Sequence, residues 1–125
     1  MADHHEGLVR AFRRKFLRRG LRETKSPMPT YRPDLFAEKV SSRGQVIEQI
    51  AMEAEIASTI FSEHTTDQLL KMDEFIRHQR NKKIRTRGFL VVPKAKRLRN
   101  HAATLLESLF PDGTSIKIVE AVECA

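Results

Sequence analysis

Pro27, Pro29 and Pro33 stand within seven residues, and no other local feature restricts the chain as strongly. Each ring fixes φ, removes a backbone donor and pushes the preceding residue out of the helical region, so residues 25–33 read as an extended linker. The chain then divides into a basic N-terminal helix over residues 1–24, the linker, and a helical core domain over residues 34–125. At 125 residues it is the size of one domain around one hydrophobic core.

Before the linker, Asp3 and Glu6 have the spacing of a capping box, and Leu8, Val9, Phe12 and Phe16 follow on one helical face, with Gly20 near the end. After it, Pro33 suits the first position of a short helix over residues 34–38. Ser42 and Gln45 repeat the capping pattern. Val46, Ile47, Ile50, Ala51, Ala54, Ala57 and Phe61 then form an apolar stripe, which predicts a long helix reaching about Phe61. A third helix, capped by Thr65 or Thr66, presents Leu69, Met72, Phe75 and Ile76 and extends as a solvated segment to a C-cap at Gly88. Leu98, Ala102, Leu105, Leu106 and Leu109 give the cleanest helical periodicity, in a fourth helix opened by Pro93. Residues 89–92 and 116–122 read as two short strands able to pair. The expected fold class is mainly α: a small four-helix assembly, in effect a helical bundle, with a short two-stranded β element near the C-terminus.

Charge carries the functional expectation. The chain holds 23 Lys and Arg against 16 Asp and Glu, a formal net charge of +7. Arg10, Arg13, Arg14 and Arg18 belong to the first helix. Arg77, Arg80, Lys82, Lys83, Arg85, Arg87, Lys94, Lys96, Arg97 and Arg99 form a second block, and no acidic residue lies between Glu74 and Glu107 to neutralise it. Such a concentration attracts polyanions, and arginine forks pair well with phosphate. These fourteen residues are the candidate nucleic-acid contacts. Gln79, Asn81, His78 and Asn100 stand among them as groups for sugar hydroxyls and base edges, which tilts the expectation towards RNA over DNA. An acidic protein partner, met by an adaptor or inhibitor, is the alternative. The alanine-lined stripe also permits a homo-oligomer.

Residues 47–61, with two alanines at a tight contact and an apolar-Ala-Ser-x-apolar segment, resemble the helix-turn-helix of TetR-like repressors. The resemblance implies a DNA-binding regulator. The family's turn usually carries glycine, whereas Glu55 occupies that place here, and the ligand-binding domain has no counterpart.

Catalysis finds little support at this level. His4, His5, His64, His78 and His101 lack metal-site spacing, so neither a metal nor a cofactor is expected. Asp34, Glu48, Glu53, Glu55, Asp67, Asp73 and Glu74 fall on expected helices without a phosphate-cradling loop or an acid/base motif. The expectation is a non-enzymatic binder. The single cysteine, Cys124, forms no intramolecular disulfide, and no apolar run approaches a membrane span. Both point to a cytoplasmic or nuclear protein. Phe12 and Phe16 opposite an arginine face also suit an interfacial helix on an anionic membrane, a weaker match than packing on the core.

Overall fold

The stripe of Leu98, Ala102, Leu105 and Leu106 is a helix, and all four side chains are buried as the periodicity requires. The structure, a computed structural model, describes residues 4–17 and 20–122. The expected cap Asp3, the candidate contact Arg18, and Cys124 lie outside the described residues. Helix α1 spans His4–Phe16 and buries Leu8, Val9 and Phe12. Helix α2 spans Glu63–Asn81. It is capped by Ser62, whose hydroxyl oxygen accepts from the Thr65 N–H at 3.2 Å, one residue type and a few positions from the expected threonine cap. Helix α3 spans Lys96–Leu109. No helix among the described residues is long and apolar enough to cross a membrane.

The rest of the architecture departs from the mainly α expectation. Five strands form one mixed sheet: β1 at Arg22–Glu23, β2 at Leu35–Val40, β3 at Val46–Ala54, β4 at Arg85–Pro93 and β5 at Lys117–Ala121. They lie in sequence order, β2 antiparallel to both β1 and β3, and β4 and β5 parallel to β3. Among the described residues the protein is therefore an α/β fold with three helices, which replaces the expected four-helix assembly and helical bundle. The expected short helix over residues 34–38 is replaced by β2, which begins two residues after Pro33.

The expected long helix is replaced by β3 and a loop. The TetR-like helix-turn-helix is absent with it, because residues 47–54 are extended and hydrogen-bonded on both sides. Strand β3 misleads because it is central: from Gln49 to Glu55 every residue is buried, so the in–out alternation that marks a half-exposed strand disappears. Its alanines, glutamates and methionine meanwhile score as helix formers. Gly88 is not a C-cap. Helix α2 ends at Asn81, and the chain reverses through Lys82 and Lys83, the latter at φ 64°, into β4. The pairing expected between the two C-terminal strands is present, as parallel Phe89–Lys117 to Pro93–Ala121 partners.

Sheet parity sorts the core into two layers. Leu35, Ala37, Ile50, Met52, Ala54, Phe89 and Val91 face α1 and its Leu8, Val9 and Phe12. Phe36, Ala51, Leu90 and Val92 face α2 and α3. Helix α1 thus packs on the sheet itself. The connections from β3 through α2 to β4, and from β4 through α3 to β5, carry the polypeptide back along one face, as parallel pairing demands.

Candidate functional site

Strand register brings acidic side chains together. Leu35 pairs with Met52, so Asp34, just before β2, stands opposite Glu53, which has the parity of the face that packs on α2. Glu55 follows Glu53 by two residues and has the same parity. Asp34, Glu53 and Glu55 each offer a carboxylate oxygen, and these atoms lie within 4.8 Å of one another. The cluster stands at the carboxyl end of β3, the edge of parallel strands where open α/β sheets bind ligands.

Several bonds hold the cluster. Asp34 Oδ2 accepts from the Ala54 N–H at 2.8 Å and lies 3.0 Å from His5 Nε2 on α1. Glu55 lies beside the hydroxyls of Thr59 and Thr65, which favour its charged form, and the Thr65 hydroxyl donates to the Thr59 carbonyl at 2.7 Å, between the loop and the first turn of α2. Glu53 is the deepest of the three, 2% exposed, and its Oε1 is buried without a hydrogen-bond partner.

Electrostatically the arrangement is unfavourable on its own. Burial, then the charges of Asp34 and Glu55, push the Glu53 carboxyl up to about 10, so it holds a proton at neutral pH. Burial also raises Glu55, against the nearby Thr59 and Thr65 hydroxyls, which favour its charged form. Tyr31, fully buried from the end of the linker, has its phenol raised by burial and by the nearby Glu53 and Asp34, and its hydroxyl has no partner. Gln68, one turn along α2 from Thr65, likewise buries an unpaired Oε1. Unsatisfied buried polar atoms are uncommon, and several on the layer that carries one carboxylate cluster indicate a site shaped for something further. A hard divalent cation fits the donor set: carboxylate oxygens only, one without a proton donor, in a spacing that one ion spans. Asp34, alone of the three, also lines a cleft of about 390 Å³ together with Lys25, Tyr31 and Arg32.

The cationic candidates do not converge as the sequence suggested. Arg10, Arg13 and Arg14 are on α1, and Arg13 is engaged in a two-point pair with Glu23 at 2.9 and 3.1 Å. Arg77, Arg80, Lys82, Lys83, Arg85 and Arg87 surround the end of α2 and the start of β4. There Arg77 pairs with Asp73 at 2.9 Å, Arg87 with Glu48 at 2.6 Å, and Arg80 donates to the Thr86 carbonyl. Lys94, Lys96, Arg97 and Arg99 follow β4 at its other end, with Arg99 bound to Glu120 at 3.1 Å. Residues 88–93 separate Arg87 from Lys94, a span of about 23 Å at some 3.3 Å per residue. Only the later group, at 94–99, shares the sheet edge that carries the carboxylates.

The carboxylates stand in segments whose periodicity predicts helix, where residues 53 and 55 point apart. The available signal was Glu53-Ala54-Glu55, an i, i+2 pair that only a strand aligns. His5, Tyr31 and Gln68 carried no local signal.

Comparison with family models, with curated protein sequences and with solved structures finds no significant match in any of the three.

Proposed function

We propose that this chain is a divalent-cation-dependent hydrolase that cleaves phosphodiester bonds in nucleic-acid strands. The observation that carries the reading is the Asp34, Glu53 and Glu55 cluster, with its buried, unpartnered Glu53 Oε1, at the carboxyl end of β3. Three carboxylates so close must share a proton or meet a cation. A magnesium or manganese ion held by them would supply electrophilic stabilisation of charge on a phosphoryl oxygen.

The surrounding residues fit that task. His5 orients Asp34, whose second bond from the Ala54 N–H fixes it to the strand that bears the glutamates. The Thr59 and Thr65 hydroxyls on the other side favour the charged form of Glu55. The cationic group Lys94, Lys96 and Arg97 on the same edge offers phosphate contacts, and the net charge of +7 favours a polyanionic substrate over a neutral one. The nucleic-acid preference drawn from composition is thus retained as substrate. The expectation of a non-enzymatic binder is set aside, because buried mutually repelling carboxylates serve no purpose in phosphate binding.

The test is cleavage of labelled single-stranded and duplex DNA and RNA by the purified chain after chelation, with and without added magnesium or manganese. Cleavage is expected only with the metal and is lost in Asp34→Asn and Glu55→Gln variants that still fold. Metal-independent cleavage, or none on any of these substrates, overturns the reading.

A further inference from the structure

Phe61 is the most exposed phenylalanine among the described residues, 57% accessible, yet it does not project alone. It lies against the His101 ring of α3, centroids 5.2 Å apart at 52° between planes. Two anchored neighbours hold it outward: Ile60 is fully buried on the α2 and α3 layer, and Ser62 caps α2. The Ile60 N–H also bonds back to the Ile56 carbonyl, closing the loop that leads from Glu55. An exposed phenyl group on a loop braced at both sides forgoes burial without gaining mobility.

The charge beside it selects an occupant. Arg97 precedes His101 by four residues on α3 and so stands next to it on the same helix face. Lys94 and Lys96 lie just before it and, like Arg97, are exposed. An apolar ring flanked by cations repels a cationic partner and wastes charge on an aliphatic one. A single nucleic-acid strand matches both parts, since its bases present π-faces and its phosphates follow at regular spacing.

Resting on the proposed hydrolase reading, we propose that Phe61 and His101 form a stacking site for an unpaired base of the substrate strand, whose phosphates run along Lys94, Lys96 and Arg97. The preferred substrate is therefore single-stranded, or has a single-stranded stretch next to the cut. In a continuous duplex each base face is already covered and cannot reach Phe61.

The experiment is binding of the full chain, in EDTA to prevent cleavage, to a short oligonucleotide carrying one 2-aminopurine, as a single strand and as a blunt duplex. The single strand should bind more tightly, with its fluorescence quenched on stacking. Phe61→Ala should weaken that binding about 5- to 150-fold and abolish the quenching while leaving duplex binding unchanged. Phe61→Trp should retain both, and His101→Ala should show a smaller loss. Unaltered single-strand affinity and quenching in Phe61→Ala overturn the stacking site. Equal, unquenched binding of strand and duplex by the unsubstituted chain overturns it as well, and leaves the hydrolase reading intact. Binding of neither form removes both the stacking site and the nucleic-acid substrate.

Discussion

The Ala54 N–H donates to Asp34 Oδ2 at 2.8 Å, so the first carboxylate of the cluster is fixed by the strand that carries the other two. Asp34 precedes β2 and Ala54 ends β3, and this one bond converts a hairpin register into a ligand geometry. A cation bound there is a fourth member of an already assembled set, and its binding should stabilise the fold.

Magnesium or manganese should accordingly raise the melting temperature of the chelated protein. A ligand at a hundredfold excess over its Kd contributes about 2.7 kcal/mol, several degrees for a domain of this size. Asp34→Asn and Glu55→Gln should melt cooperatively but show no metal-dependent shift. A thermal unfolding series with and without metal decides this, and an unshifted unsubstituted protein at millimolar metal would rule out the cation site.

Without metal, stability should fall as pH rises. The Glu53 carboxyl sits at about 10 in the fold against an ordinary value of 4.5, so between those values the native state holds a proton that the unfolded chain has released. The stabilisation is complete below about 4.5 and is lost as pH climbs towards 10, with a slope of at most about 1.4 kcal/mol per pH unit for one proton. Glu53→Gln keeps the neutral shape and should flatten that slope, making the variant more stable than the parent at pH 8 in EDTA. Saturating magnesium should reverse the order, because the variant lacks the charged ligand. Parallel denaturation profiles for the two proteins from pH 5 to 9 would contradict the assignment.

The helices were legible because each has one wet face. Phe12 repeats Leu8 and Ala102 repeats Leu98 at one turn's spacing, against charged residues on the opposite side. The short strand at residues 89–92 was legible because its apolar run is brief and ends at Pro93. Strand β3 was not, since Ile50 and Met52 are buried against α1 while Gln49, Ala51 and Glu53 are buried against the other layer. Its buried polar residues imitate the wet face of an amphipathic helix. Gln49 is satisfied by the Gln79 side-chain amide at 2.7 Å, thirty positions away, a partner that local pattern cannot reveal. The site is hidden for the same reason, because Glu53 and Glu55 become neighbours only once the segment is extended.

Gly88 gives a direct test of that corrected register. It lies within β4 on the face that packs on α2, where an added Cβ would come 2.6 Å from Ile76 Cδ1 and 2.7 Å from Met72 Sδ. A glycine closing a helix would tolerate alanine poorly through its φ, but here φ is not positive and the obstacle is the helix overhead. Gly88→Ala should cost about 1–3 kcal/mol from overpacking. Trimming the neighbour in Gly88→Ala with Met72→Ala should recover part of that loss relative to the sum of the single variants. Strict additivity in urea denaturation would show that the two residues do not meet.

The division of the cations between the two ends of β4 predicts unequal roles for groups that the sequence presents as one block. Lys82, Lys83 and Arg85 stand at the start of the strand, and Arg85 lies five to seven residues from the carboxylate edge, about 17–23 Å at roughly 3.3 Å per residue. Lys94, Lys96 and Arg97 stand at the edge itself. Each phosphate contact on a single strand contributes about 0.7 to the slope of log affinity against log salt. Replacing Lys94, Lys96 and Arg97 with glutamine should therefore flatten the slope by about 2 and suppress metal-dependent cleavage through weaker substrate binding. The same replacement at Lys82, Lys83 and Arg85 removes an equal formal charge, so any loss it shares with the first set measures the long-range field alone. That loss should be smaller, and should vanish at high salt where the Debye length is short. Equal slopes for the two triple variants would mean that charge acts here only as a total, and that the strand does not cross the edge bearing Asp34, Glu53 and Glu55.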